Sequence, residues 1–256
     1  MVMSRTPLVL VTGAAHGIGR EIAVEAARAG YRVVVADVDD VGGRSTVDAI
    51  TASGRTAFHT HVDIADPDQV RSLISNTVAE HGKLGVLVNN AAITQGLSFF
   101  DIGVDDWDRF FAVNARGCFF AMQYAARAMR ESGGGAIVNI ASIAGKGWSG
   151  TSNVAYASSK GAVVAMTRVA ASQLGPFGVR VNAVCPGVTD TALLQRVLES
   201  RAGSVAEQRE LLEGMSSLRR LNSPADIAAA VLFLASPGAQ GITGQSLNVD
   251  AGILWD

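Results

Sequence analysis

Cysteine occurs only twice in the 256 residues, at Cys118 and Cys185. Both stand in apolar or proline-adjacent surroundings without metal-ligand spacing, so no metal site is expected and nothing supports a disulfide. A reduced, cytoplasmic setting is the simple expectation. Charge is scarce too: Asp, Glu, Lys and Arg make up 17% of the chain, the net charge is −2, and no Lys/Arg block occurs. That leaves no electrostatic footprint for nucleic acid or an anionic membrane. No apolar run is long enough to span a bilayer, and Leu8-Val9-Leu10-Val11 is too short for a signal peptide. Aromatics are only 6%. What remains is a chain rich in Ala, Val, Ile and Leu, which suits strands covered on both faces.

Strand-length apolar runs alternate with longer amphipathic stretches. Leu8 to Thr12, Tyr31 to Asp37, Thr56 to Val62, Val86 to Asn89, Ala136 to Ile140, Val179 to Val184 and Ser246 to Val249 read as strands. Ile18 to Ala29, Gly42 to Ser53, Pro67 to His81, Val104 to Glu131, Val154 to Leu174 and Pro224 to Ala235 read as helices. Asp66 before Pro67 and Ser223 before Pro224 are start signals. The alternation predicts an α/β fold of βαβ units around a parallel sheet. No linker, charge run or repeat divides the chain, so one domain is expected. Residues 189–220 break the rhythm after a strand's carboxyl end, where α/β folds place substrate-covering elements; a tolerated surface excursion is the plainer reading.

Gly13-Ala14-Ala15-His16-Gly17-Ile18-Gly19 lies between the first strand and the first helix. Glycine there lets backbone approach a pyrophosphate, and the helix N-terminus offers free N–H groups. The spacing is G-x-x-x-G-x-G, and its place directly after a strand gives it weight. Asp37 ends the second strand, where a carboxylate can accept from both adenine-ribose hydroxyls and repels a 2′-phosphate. With no Lys or Arg beside it, NAD is favoured over NADP. His16 is either a phosphate contact or a solvated turn residue. Asp63 and Ile64 after the third strand either meet the adenine edge or, for Asp63, cap a turn.

Tyr156 and Lys160 stand four apart at the start of a long helix, so both side chains can enter one cleft. A free phenol titrates near 10. One ammonium about 5 Å away at an effective dielectric near 20 lowers that by roughly two units, the oxidised nicotinamide adds a second positive charge, and together they are expected to bring Tyr156 close to working pH. Ser142, after the strand Ala136 to Ile140, can hold a substrate oxygen beside Tyr156; a turn-capping role is the plainer alternative. Asn114 sits inside an apolar helical run and either relays a water to Lys160 or marks a kink.

Together these residues resemble the short-chain dehydrogenase/reductase family over nearly the whole chain. Thr12 to Gly19 looks like its cofactor turn. Asn89-Asn90-Ala91-Ala92 resembles its Asn-Asn-Ala-Gly segment along the adenosine, with Ala92 departing from the usual Gly. Ser142, Tyr156, Lys160 and Asn114 match its catalytic tetrad. Pro186-Gly187-Val188-Thr189-Asp190-Thr191 looks like the segment holding the nicotinamide carboxamide, with main-chain groups from Thr189 and a hydroxyl from Thr191. Asp250-Ala251-Gly252 resembles the usual C-terminal Asp-Gly-Gly. The resemblance implies a single-domain, seven-stranded Rossmann sheet, hydride exchange between nicotinamide and carbinol carbon, ribose contacts from Lys160, and a homotetramer. Its substrates run from polyols and cyclic alcohols to 3-oxoacyl thioesters; a nucleotide sensor that kept the fold is the remote alternative. The pocket is expected to draw on Thr94 to Phe99, Lys146 to Trp148 and the insertion, with Arg219-Arg220 facing solvent or a neighbouring subunit.

Overall fold

The near-continuous apolar runs of the inner strands have a structural cause: these strands are covered on both sides. The computed structural model describes residues 7–150, 153–200 and 203–255. Its sheet contains β1 (Leu8–Thr12), β2 (Arg32–Asp37), β3 (Ala57–His61), β4 (Leu84–Asn89), β5 (Gly135–Ile140), β6 (Val179–Pro186) and β7 (Ser246–Val249). The order is β3-β2-β1-β4-β5-β6-β7, and every pairing is parallel. The helices are α1 (Gly17–Arg28), α2 (Asp40–Ala52), α3 (Pro67–His81), α4 (Val104–Phe111), α5 (Cys118–Glu131), α6 (Val154–Leu174), α7 (Ala192–Ser200), α8 (Val205–Gly214) and α9 (Pro224–Ala235).

Alternation along β1 separates the two cores. Leu8 and Leu10 join Val70 and Leu73 of α3 and Ala125 and Met129 of α5. Val9 and Val11 face the other way, into Ile22 and Ala26 of α1 and Ile227 and Val231 of α9. This is the doubly wound arrangement, and the strand order reverses between β1 and β4. A crevice at the carboxyl ends of those strands is where such sheets take ligands.

The expected helix from Val104 to Glu131 is two helices. Residues Ala112–Gly117 form a π-helical turn between α4 and α5, with Asn114 inside it. A wide turn of this kind is where an inserted side chain bends a helix. The expected start of α2 also moves, from Gly42 to Asp40, because the Asp39 side chain accepts from the N–H groups of Val41 and Gly42. Among the described residues no helix is long and apolar enough to cross a membrane.

One polar chain crosses the core. Asn89 Nδ2 donates to Asn139 Oδ1 at 2.9 Å, Asn139 Nδ2 donates to Thr167 Oγ1 at 2.9 Å, and Thr167 donates to the Val163 carbonyl at 2.8 Å. It locks β4, β5 and α6 in one register at their functional ends. Replacing Asn139 by Leu strips partners from two buried groups and is expected to cost about 1–3 kcal/mol. Urea denaturation checks this; a change below about 0.5 kcal/mol, the size of an ordinary surface substitution, contradicts the structural role given to the chain.

Candidate active site

The Gly-rich turn is shaped by close backbone approach. Gly13 has φ +64, and a Cβ on it would lie 2.7 Å from the Ala91 Cα. A Cβ on Gly19 would lie 2.1 Å from the Gly13 carbonyl oxygen. Gly17 also takes a positive φ, +53, which favours glycine. α1 then begins without a side-chain cap and without an acidic residue in its first turn. Free N–H groups and the positive helix end therefore face the crevice uncompensated, which fits a pyrophosphate.

Two hydroxyls missed by periodicity hold this turn. Thr46 of α2 is fully buried and donates within 3.0–3.3 Å of the Ala14, Ala15 and Gly42 carbonyls. Thr12 Oγ1 accepts from the N–H groups of Asn90 and Ala91 at 3.0 and 3.1 Å. Asn90 returns the contact, its amide donating to the Thr12 and Gly13 carbonyls. Asn90 and Ala91 thus support the turn.

Asp37 stands at the end of β2 and keeps part of its surface exposed. Its Oδ2 accepts from Ala15 N–H at 2.8 Å and its Oδ1 from Asp39 N–H at 3.0 Å, which aims the carboxylate across the turn. His16 Nε2 meets Asp39 Oδ2 at 2.7 Å, so the exposed imidazole is drawn to a neighbouring acid. Asp63 is exposed and caps its own turn by accepting from Ala65 N–H. Ile64 beside it is buried, and a Cβ on Gly117 would lie 2.4 Å from the Ile64 carbonyl oxygen, so the π-helical turn seats this loop.

Beyond β6, a Cβ on Gly187 would lie 2.6 Å from the Asp250 Cβ, which brings the two C-terminal motifs together. Asn222 accepts from Asp190 N–H and donates its own N–H to the Val188 carbonyl. These bonds come from the residues on either side of Thr189, which turns the Thr189 main-chain groups toward the opposite edge. Thr191 Oγ1 accepts from Leu194 N–H at the start of α7, and its methyl lies over Gly17. Asp190 forms a two-pronged ion pair with Arg209 of α8, which also bonds Glu213. The 189–220 insertion is therefore fastened to the segment matched to carboxamide binding, a link that spacing alone does not reveal. Arg219 donates to the Gly214 carbonyl and Arg220 pairs with Asp226, so both bond within the chain.

At the carboxyl end of β5 the remaining groups converge. Ser142 Oγ accepts from Ala144 N–H at 3.1 Å, and the same hydroxyl is near enough to the Tyr156 phenol to pull its pKa down. Lys160 is buried, and its ammonium donates to the Ile140 carbonyl at 2.7 Å. A Cβ on Gly145 would lie 2.6 Å from the Lys160 carbonyl carbon, so the turn after Ser142 rests on the backbone of α6. Asn114 accepts from Ile93 N–H and donates to the Ile93 carbonyl and to Ser159 Oγ, while Ser159 donates to the Tyr156 carbonyl. Both amide N–H groups of Asn114 are thus taken by Ile93 and Ser159. Asn114 lies within a π-helical turn and supports Tyr156 through Ser159.

The expected acidification of Tyr156 by Lys160 is not found in the chain by itself. Burial pushes the phenol above its ordinary range, with the Ser142 hydroxyl pulling the other way. Desolvation of the phenol is the larger of the two effects. Lys160 responds to the same burial and falls from 10.5 to about 8, with Cys118 and Cys185 nearby. The Cys118 thiol, fully enclosed, is pushed up to about 12. Trp148 packs against the core formed by Ile143, Val163 and Cys185, and Lys146 reaches the Ser246 carbonyl.

The Lys160 shift has a consequence for stability. Between about 8 and 10.5 the unfolded chain holds more protons at this site than the folded one. Stability from Lys160 therefore rises with pH across that window, by at most about 3 kcal/mol. Tyr156, shifted upward, acts in the opposite direction only above pH 10. Urea midpoints at pH 8 and 9.5 are expected to rise in the parent and to flatten in Lys160→Met; equal slopes contradict the burial of the ammonium.

The family model described as Enoyl-(Acyl carrier protein) reductase matches residues 13–254. The chain is 38% identical over 250 residues to the L-rhamnose 1-dehydrogenase (NAD(P)(+)) of Azotobacter vinelandii, covering 96% of this chain and 95% of that one. It is 35% identical over 256 residues to the 3-oxoacyl-(acyl-carrier-protein) reductase FabG of Staphylococcus aureus, covering 98% and 99%. A solved structure described as a short-chain dehydrogenase/reductase of Burkholderia xenovorans superposes with a TM-score of 0.93 at 32% identity, covering 98% of both chains. On these matches and this fold, the chain belongs to the short-chain dehydrogenase/reductase family.

Proposed function

We propose that this chain is an NAD-dependent oxidoreductase interconverting a small secondary alcohol, such as a polyol or cyclic alcohol, with its ketone. The observation that carries the reading is the meeting of Ser142, Tyr156 and Lys160 at the carboxyl end of β5. Gly13, Gly17, Ile18 and Gly19 would hold the pyrophosphate and Asp37 the adenine ribose, while Thr189 and Thr191 would hold the carboxamide. A nicotinamide held by these residues would supply the acceptor or donor of the hydride exchanged at the carbinol carbon. The Tyr156 hydroxyl accepts the substrate proton in oxidation and returns it in reduction. Ser142 holds the substrate oxygen, and Lys160 keeps donors for the ribose beyond the one spent on Ile140. A homotetramer, cytoplasmic residence and a single catalytic domain belong to the same reading.

Preference for NAD rests on Asp37, whose carboxylate is held in place by Ala15 and Asp39 with no basic side chain paired to it in the described contacts. The similarity to the Staphylococcus aureus reductase supports a second reading, reduction of a 3-oxoacyl thioester with NADPH. Arg219 and Arg220 are engaged within the chain, which disfavours them as anchors for a phosphorylated carrier.

Replacing Tyr156 by Phe is expected to lower kcat by about 10²–10⁴ while calorimetry shows NAD still bound. Turnover equal to the parent contradicts the role given to the phenol. An alcohol and ketone panel with both cofactors, followed by nicotinamide absorbance, is expected to show NAD preferred and narrowed preference in Asp37→Ser. Strong NADPH-dependent reduction of a 3-oxoacyl thioester overturns the reading in favour of the second.

A further inference from the structure

We infer that Asn153 is a positioning residue tying the start of α6 to the loop after β4, so that one buried amide governs both the placement of Tyr156 and the fit of the alcohol. The inference rests on the proposed function. Asn153 is buried and extended, with φ −168 and ψ 168, immediately before α6. Its Oδ1 accepts from Tyr156 N–H at 2.7 Å, capping the turn that carries the phenol. Its Nδ2 donates to the Gln95 carbonyl at 2.6 Å. Both ends of the amide are therefore used.

A cap alone does not need this side chain. Asp39 and Asp66 cap α2 and α3, and Ser223 caps α9, each with an acceptor. Asn at position 153 adds a donor, and that donor is spent on a loop on the cleft side of the sheet. The loop is fixed at a second point by Asn114, which bonds Ile93 N–H and carbonyl. Gln95 is held again through its side chain, which accepts from Arg109 of α4 at 2.6 Å. Asn114 also reaches Ser159, whose hydroxyl donates to the Tyr156 carbonyl at 2.7 Å. The first turn of α6 and residues 93–95 thus share two bridges, one from each amide. Displacement of the loop is transmitted to the phenol, and the fit of a substrate against the loop is transmitted to the same helix turn.

The two bonds of Asn153 separate in two variants. Ser can accept from Tyr156 N–H but is too short to reach Gln95, whereas Ala does neither. Steady-state kinetics, NAD calorimetry and hydrogen exchange across residues 93–101 are measured on the full chain. Asn153→Ala is expected to lose about tenfold to a hundredfold in kcat through misplacement of the phenol. Asn153→Ser is expected to regain kcat to within about twofold, since Ser caps nearly as well as Asn. Its alcohol KM rises about threefold to tenfold for the lost loop bond, with NAD affinity unchanged. Exchange across 93–101 quickens in both variants. Two results overturn the inference: Asn153→Ser matching the parent in KM and exchange, or remaining as poor in kcat as Asn153→Ala. If the parent binds NAD but turns over no alcohol, the proposed function fails. The exchange result then still decides whether Asn153 holds the loop.

Discussion

The bond from the buried Lys160 ammonium to the Ile140 carbonyl is the contact on which the rest of the site depends. It closes the gap between the end of β5 and the first turns of α6. A charge in such a place is costly unless hydrogen-bonded, and the fall of its pKa to about 8 records that cost. The strand end supplies the acceptor because parallel strands leave their last carbonyls at the crevice. Once this bond is made, Ser142 and Tyr156 are within reach of each other, and Gly145 lets the turn between them rest on the helix backbone.

Around that contact the structure divides its labour between rigid support and open edges. The chain Asn89, Asn139 and Thr167 fixes the sheet to α6, and Asn114 and Asn153 fix the loop after β4 to the same helix. The edge facing the crevice is left without carboxylates at the α1 N-terminus, while Asp37 is turned toward it from β2. Support below and unfilled polar groups above are what a dinucleotide site needs, since preorganised donors act without reorganising when the ligand arrives. The pairing of Asp190 with Arg209 extends this frame beyond β6, so that α8 and the segment after that strand are bound together.

Much of this was legible from the residues alone. The strands showed themselves because sheets buried on both faces keep apolar residues at nearly every position, as in Val33-Val34-Val35. The Gly-rich turn, Asp37, and the Tyr156–Lys160 spacing were visible because each obeys a local rule. What stayed hidden depends on long-range approach. Thr46, Ser159 and Asn153 carry no periodic mark, and their partners lie 31–32, 45 and 58 residues away in the bonds that matter here. The break at Ala112–Gly117 was masked by a continuous apolar pattern, with only the out-of-place Asn114 as a signal. The upward shift of Tyr156 in the chain alone stayed hidden because spacing reveals a neighbouring charge but not the desolvation of the phenol.

On the proposed function, the phenol carries the proton once the site is filled. In the chain alone burial holds it protonated. The positive charge of the oxidised nicotinamide, added in a dry cleft, favours the phenolate. Ultraviolet titration of tyrosinate, with and without NAD, tests this directly, using Tyr156→Phe to assign the signal among only three tyrosines. The account predicts that, of the two tyrosines raised above their ordinary range, Tyr31 and Tyr156, one shifts clearly downward when NAD binds and is missing from the variant. A titration unmoved by bound NAD, or a shift that persists in Tyr156→Phe, contradicts it.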